Sequence, residues 1–121
     1  MELTAVNPAG RQIIERYGAG AFRVSGVIYQ GAVLVFPDRT WPWPAAALAP
    51  DSLAPVVEHG GVELLLLGLG SRMVPVAASL RSWLKSVGIA LEAMDTGAAC
   101  RTYNVLLAED RRVAAALLPP V

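Results

Sequence analysis

Residues 94–107 decide the fold, and they read Met94-Asp95-Thr96-Gly97-Ala98-Ala99-Cys100-Arg101-Thr102-Tyr103-Asn104-Val105-Leu106-Leu107. Asp95 or Thr96 is of the residue type that begins a helix, because a short side-chain oxygen accepts a hydrogen bond from the first turn. Four side chains then recur at helical spacing and predict the inner face of this helix: Ala99, Tyr103, Leu106 and Leu107. Residues 112–118 are largely apolar and predict a closing strand.

The sequence before this stretch also alternates between strand and helix patterns. Residues 62–67 form an apolar run between glycines, which is typical of a strand covered on both faces. One face of a helix closed by Gly88 is predicted by Val76, Leu80, Trp83, Leu84 and Val87. Residues 89–94 predict a second central strand. Since short connections make each helix cross a sheet face, the order strand, helix, strand, helix, strand predicts a largely parallel α/β core.

The first half of the chain favours antiparallel β structure. Residues 12–17, 21–24 and 31–36 are short runs with aromatic or β-branched side chains, separated by glycine-containing turns. Residues 40–44 carry alternate prolines and predict an extended segment. Ser52 is expected to cap a short helix that Gly60 and Gly61 end. We expect one compact α/β domain over residues 11–121, preceded by a tail of residues 1–10.

Composition excludes several classes of protein. Ten basic and ten acidic side chains cancel, so nothing indicates a surface for nucleic acid. The longest apolar segment, residues 62–69, is far shorter than the ~20 residues of a membrane-spanning helix, and we expect no transmembrane segment. The N-terminus lacks the pattern of a secretory signal, and a lone cysteine excludes an internal disulfide. These features favour a cytoplasmic protein.

Several segments together resemble domain-of-unknown-function family 498, which includes mitochondrial complex I assembly factor 3. The resemblance covers roughly residues 11–120 and is carried by Phe22-Arg23-Val24, Gly31-Ala32-Val33-Leu34-Val35, Trp41, Leu64-Leu65-Leu66-Leu67-Gly68-Leu69-Gly70 and residues 94–106. It implies a single three-layer α/β domain with a mixed, largely parallel central sheet flanked by helices, plus an N-terminal antiparallel β layer. It also implies protein partners, namely membrane-complex assembly proteins met at the inner membrane, and no established enzymatic activity.

A glycine-rich turn is the first candidate for a ligand site. Gly68, Gly70 and Ser71 follow a buried strand and precede a helix, where backbone N–H groups attract anions. The dinucleotide fingerprint needs a further small residue where this chain has Met73, so the turn predicts no cofactor. A plain tight turn and a small-anion or partner contact both remain open.

Polar residues of the next helix complete the candidate pocket. In parallel sheets, ligands bind beyond the carboxyl ends of the strands, which here collect the glycine-rich turn and the start of the last helix. The candidate anion or ligand pocket therefore consists of Gly68, Gly70, Ser71, Arg72, Asp95, Thr96, Arg101 and Asn104. For Asp95 and Thr96, helix capping is the structural alternative.

Neither Cys100 nor His59 predicts catalysis or metal binding. Cys100 lies among alanines, where cysteine usually acts as a small buried hydrophobe, and no base can be placed beside it. His59 suits the end of a helix, and a metal site would need further ligands. We therefore expect no catalytic residue, no metal and no cofactor.

Trp41 and Trp43 are the candidate partner surface. In an extended segment both side chains point to the same face, where an exposed tryptophan would anchor an interface. We expect at least one of the two to be buried instead. The apolar composition leaves surface for association, including a homo-oligomer.

Two functions follow from the sequence. The first is a non-catalytic interaction protein that assists assembly of a respiratory or other membrane complex. The alternative is a small-anion-binding or metabolite-binding domain, or an enzyme, using the crevice at residues 68–71 and 95–104.

Overall fold

The computed structural model describes residues 10–44, 48–71 and 74–120. The elements of these ranges are β1 (Ile14–Gly18), β2 (Ala21–Val24), β3 (Val27–Gln30), β4 (Val33–Val35), β5 (Thr40–Pro42), α1 (Pro50–His59), β6 (Leu64–Leu69), α2 (Ala78–Ser86), β7 (Ala90–Met94), α3 (Thr96–Ala108) and β8 (Val113–Leu118). Apart from Gly10, the predicted tail of residues 1–10 lies outside the described residues.

The central sheet has five strands in the order β5-β4-β8-β6-β7. β6 runs parallel to both β7 and β8, and α2 and α3 make the connections predicted from the sequence. β4 pairs antiparallel with β8 and β5, so the sheet is mixed. The predicted α/β class with a mixed central sheet is confirmed.

A second sheet of three antiparallel strands, β1-β2-β3, forms the N-terminal β layer. Two-residue turns at Ala19-Gly20 and Ser25-Gly26 connect its strands, and both residues of each turn have positive φ. This conformation matches the twist of antiparallel strands and explains the glycine in each turn. β4 leaves this layer and joins the central sheet, although the sequence had grouped residues 31–36 with the hairpins.

Two hydrophobic cores cover opposite faces of the central sheet. Leu66 points into the core shared with α3 and the three-stranded sheet, whereas Leu65 and Leu67 point into the core shared with α1 and α2. Strand side chains alternate between faces, so a strand buried on both sides is apolar throughout. The result is three layers: β1-β2-β3 with α3, the central sheet, and α1 with α2.

Three details of individual elements differ from the sequence analysis. β3 was not foreseen, because its four residues lie between glycines and expose Val27 and Ile28. Ser52 is the third residue of α1 rather than its cap, and its hydroxyl bonds the backbone of Ala49. Val87 follows the last residue of α2 and is exposed, because the chain turns away at Gly88, whose φ is +83°.

Candidate functional site

Thr96 joins the ends of two strands to the start of α3. Its buried hydroxyl accepts a hydrogen bond from Gly70 N at 2.8 Å and donates one to Leu118 O at 2.6 Å. Thr96 N donates to Gly70 O at 2.8 Å. The Thr96 hydroxyl therefore both donates and accepts a hydrogen bond within the chain. We call this group of residues the Thr96 clasp (Gly70, Thr96 and Leu118).

Gly68 allows β6 to approach α3 closely. A Cβ at this position would lie 2.9 Å from Leu117 Cδ2, 3.0 Å from Thr96 Oγ1 and 3.1 Å from Thr96 Cα. The first distance is shorter than real Cβ contacts and the other two are tighter than most, so only glycine fits without a shift of its neighbours. The space beside Gly68 is thus filled by the protein's own atoms.

The remaining residues of this edge differ in their exposure. Asp95 is the N-cap of α3, and its Oδ1 accepts a hydrogen bond from Ala98 N at 2.9 Å. Ser71 is exposed at the turn after β6. Arg72 lies outside the described residues.

Asn104 and Arg101 contact β1 rather than the glycine-rich turn. The Asn104 amide donates to Ile14 O at 2.7 Å and accepts from Ile14 N at 3.0 Å. Arg101 Nη1 donates to Tyr17 Oη at 3.2 Å, and its side chain is otherwise exposed. Asn104 lies eight residues beyond Thr96, which is about 12 Å along the helix. The structure therefore brings Gly68, Gly70 and Thr96 together, and places Asn104 in a separate group.

Cys100 is fully buried in the core beneath the three-stranded sheet. Burial raises the pKa of its thiol from 9.0 to about 12, and the lowering effect of nearby Arg101 does not outweigh it. A thiol in this environment is protonated at neutral pH, and the thiolate is the reactive form. Its environment is that of a packing residue, as the sequence suggested.

Trp43 and Trp41 have different environments. Trp43 is 3% exposed, and its Nε1 donates to Ser52 O at 2.9 Å, so it anchors α1 to the central sheet. The expectation that at least one of these tryptophans is buried is thereby met, and Trp43 is corrected from a candidate surface residue to a core residue. Trp41 is half-buried, stacks on Phe36 at 4.9 Å between ring centroids, and has the guanidinium of Arg39 over its ring.

A contact between Asp38 and His59 beside Trp41 was missed by the sequence analysis. His59 Nε2 lies 2.6 Å from Asp38 Oδ1, His59 Nδ1 lies 2.8 Å from Gly60 O, and the ring stacks on Phe36 at 4.1 Å. Both ring nitrogens therefore lie within hydrogen-bonding distance of an oxygen atom. Burial acts to raise the pKa of Asp38, but hydrogen bonds from His59 and Arg39 outweigh it and hold that pKa below 3.8.

This pair borders an open cleft of about 410 Å³ that Trp41 and Arg39 also line. Asp38 and His59 are separated by 21 residues, so no local motif signals their contact. The nearest sequence signal is the position of His59 before Gly60-Gly61, which marks a helix end facing the turn after β4.

Within residues 10–44, 48–71 and 74–120, no helix has the length and hydrophobicity to cross a membrane. In those ranges no three His, Cys, Asp or Glu side chains are grouped as metal ligands would be.

The fold and these contacts define a small three-layer α/β domain in which polar side chains at the sheet edge hold the protein's own elements together. The model of the family described as protein of unknown function (DUF498/DUF598) matches residues 14–118. The chain belongs to this family, and the resemblance inferred from the sequence is confirmed.

Two relatives illustrate the range of the family. An uncharacterized protein of Rhodobacter capsulatus is 40% identical over 112 residues, which cover 92% of this chain and 87% of the relative. NADH dehydrogenase [ubiquinone] 1 alpha subcomplex assembly factor 3 of Danio rerio is 33% identical and aligns with 89% of this chain. The match covers 64% of that assembly factor, so this chain spans about three fifths of its length.

A solved structure confirms the fold independently. An outer membrane protein from Bartonella henselae superimposes with a TM-score of 0.84 at 36% identity. The superposition covers 93% of this chain and 98% of that protein. The three-layer arrangement is therefore common to the two proteins.

Proposed function

We propose that this protein acts by association, as a non-catalytic factor that assists the assembly of a membrane protein complex, for instance a respiratory complex of the complex I type. One observation carries the proposal: polar side chains that the sequence suggested as ligand-binding groups form hydrogen bonds with the protein's own backbone. The Thr96 hydroxyl and the Asn104 amide each make two internal bonds. The relatives named as complex I assembly factors support the same role.

The partners in this proposal are other proteins of the assembly pathway. The protein would reach the inner membrane through them, in agreement with the lack of a spanning helix in the described ranges. Trp41 is the residue of the original candidate surface that retains partial exposure. Aromatic side chains of this kind supply much of the binding energy of interfaces, so Trp41 is the first contact to test.

Affinity capture tests the proposal directly. The tagged full chain is recovered from its native cells in mild detergent, and co-purifying proteins are identified by mass spectrometry. We expect subunits or assembly proteins of a membrane complex, and we expect Trp41→Ala to reduce their recovery. Trp83→Ala is the matched control, because Trp83 is also half-buried but lies on α2. Recovery of no membrane-complex protein would contradict the proposal.

A small-anion contact is the second candidate function. It is favoured by the exposure of Ser71 beyond the carboxyl end of β6, where ligands of such sheets bind, and by the exposed side chain of Arg101 on α3. An anion that binds the native state raises the melting temperature, so inorganic phosphate and small carboxylates are suitable probes. Stabilisation that Arg101→Ala removes would support this site, and no shift across the series would argue against it.

A further inference from the structure

The outer face of the three-stranded sheet carries positive charge around a shallow trough. Strand residues alternate between the two faces, and six of them lie on the face away from the core: Arg16, Gly18, Ala21, Arg23, Ile28 and Gln30. We call this surface the arginine face. These residues line a cavity of about 440 Å³, to which the missing side chain of Gly18 and the small one of Ala21 give depth.

Two arginine side chains of the arginine face are neighbours across the sheet. Arg16 and Arg23 are directly opposite each other on β1 and β2, and like charges at such positions repel. Glu15 offsets this in part, since its Oε1 lies 3.4 Å from Arg23 Nε, but the same oxygen also accepts the Gly26 N–H. Residues 10–31 contain three arginines and one glutamate, although the whole chain is neutral. Arg11 pairs with Asp110 at 3.0 Å, so the excess over Glu15 comes from Arg16 and Arg23. The layer is therefore locally cationic.

An exposed apolar side chain continues the same row. Ile28 is the register partner of Arg23 on β3, the outermost strand, and is 65% exposed. Val27 beside it is 52% exposed. A row of two guanidinium groups followed by an aliphatic side chain is thus presented to solvent across the sheet.

We propose that the arginine face docks an acidic segment of a partner protein, whose carboxylates pair with Arg16 and Arg23 and whose apolar side chain covers Ile28. The inference rests on the proposed association function and adds the chemistry of the partner. Guanidinium groups bind carboxylates through two parallel N–H···O bonds. Neither arginine needs to be unpaired within the chain, because each guanidinium has five N–H donors.

Charge complementarity selects an acidic protein over other anionic partners. Attraction to an anionic lipid surface usually takes clusters of four to eight basic residues, and this face has two. Nucleic-acid binding domains carry a strongly basic footprint, whereas this chain has no net charge. An acidic segment with an apolar residue matches both the guanidinium pair and the exposed isoleucine.

Photocrosslinking in the native cells tests this surface. The full chain carries p-benzoylphenylalanine either in place of Ile28 or, as the control, in place of Val87, an exposed valine at the end of α2. We expect crosslinks at position 28 that map by mass spectrometry to a protein segment with an excess of Asp and Glu. Combining the probe with Arg16→Glu and Arg23→Glu should lower the yield by roughly tenfold or more, because the partner's carboxylates would then face like charge. Arg16→Lys with Arg23→Lys should retain most of it.

The remaining outcomes count against the arginine face. Crosslinks to a neutral or basic protein segment, to a second copy of this chain, to lipid or to nucleic acid would overturn the proposal. So would a crosslinking yield at position 28 that is no greater than the yield at Val87. A yield that charge reversal of the two arginines does not change would also overturn it. Circular dichroism melting shows whether each variant folds. If the variant with both arginines changed to glutamate still captures a membrane complex, the arginine face is refuted but the proposed function is not. If position 28 crosslinks to an acidic segment of a protein that belongs to no membrane complex, the proposed function is refuted but the arginine face is not.

Discussion

Thr96 links three elements through a single hydroxyl group. Because the residue is fully buried, removal of its hydroxyl leaves the buried Gly70 N–H and the partly buried Leu118 C=O without this partner. Unpaired buried groups cost more than a hydrogen bond contributes, so the clasp is expected to be a sensitive point of the fold.

Thr96→Val removes the hydroxyl while nearly preserving the volume of the side chain. We expect a loss of about 1–3 kcal/mol in the free energy of unfolding, measured by urea titration. Thr102→Val makes the same chemical change at a partly buried position of the same helix and should cost no more than about 0.5 kcal/mol. Equal effects of the two variants would show that the clasp contributes nothing.

Burial controls the chemistry of Cys100. With a pKa of 9.0 when unfolded and about 12 when folded, its thiolate fraction at pH 9 differs by roughly 500-fold between the two states. Ellman's reagent should therefore modify the native protein far more slowly than the protein in urea, with a free cysteine peptide as the control. Rapid labelling of the native protein would contradict the packing role.

The raised pKa of the Cys100 thiol also makes the free energy of unfolding depend on pH. The native state favours the protonated thiol, so its contribution is complete below pH 9.0 and is lost as the pH rises toward 12. Burial raises the pKa of Tyr103 as well, which acts in the same direction. The free energy of unfolding is therefore expected to fall at alkaline pH.

At the scale of elements, Asn104 docks β1 onto α3. Its amide satisfies both backbone groups of Ile14, a residue 90 positions away in the sequence. The contact closes the outer edge of the three-stranded sheet, where unpaired backbone groups would otherwise face a helix.

Asn104→Leu keeps a side chain of similar size but breaks both bonds to Ile14. We expect an unfolding free energy lower by about 2–4 kcal/mol and faster hydrogen exchange at the Ile14 amide. Val105→Leu, at the neighbouring exposed position, is the control and should change neither quantity appreciably. Unchanged protection of Ile14 would mean that β1 docks by apolar packing alone.

The elements that the sequence predicted well are those with a clear local pattern. The doubly buried β6, the position of α2 and the capped start of α3 each follow from periodicity and from residues such as Gly88 and Asp95. At the ends of the predicted α2 stripe, Val76 precedes the helix and Val87 follows it. β3 escaped prediction because Val27 and Ile28 are exposed, so its four residues lack the alternation of a half-buried strand.

The candidate site was less predictable than the fold because its contacts are non-local. Sequence reasoning placed Gly68, Gly70 and Thr96 at one sheet edge, as they are. It could not show that Thr96 bonds Leu118 or that Asn104 bonds Ile14, because these pairs meet only after the layers have packed. The same holds for the pair of Asp38 and His59.

At the scale of the whole molecule, two polar groups of α3 are buried, whereas the two surfaces proposed for association are accessible. The thiol of Cys100 and the hydroxyl of Thr96 stabilise the two-core domain, while the half-buried Trp41 and the arginine face remain accessible. This distribution suits a protein whose output is binding to other proteins, and it agrees with the assembly factors among its relatives.

The most direct measurement is the amount of assembled membrane complexes on native gels after deletion of the gene in its own organism. The account predicts that a respiratory or other membrane complex decreases while its individual subunits are still made, and that the unaltered chain restores it. Unchanged levels of every membrane complex, together with a change in a small anionic metabolite, would contradict the association role and favour the ligand-binding alternative.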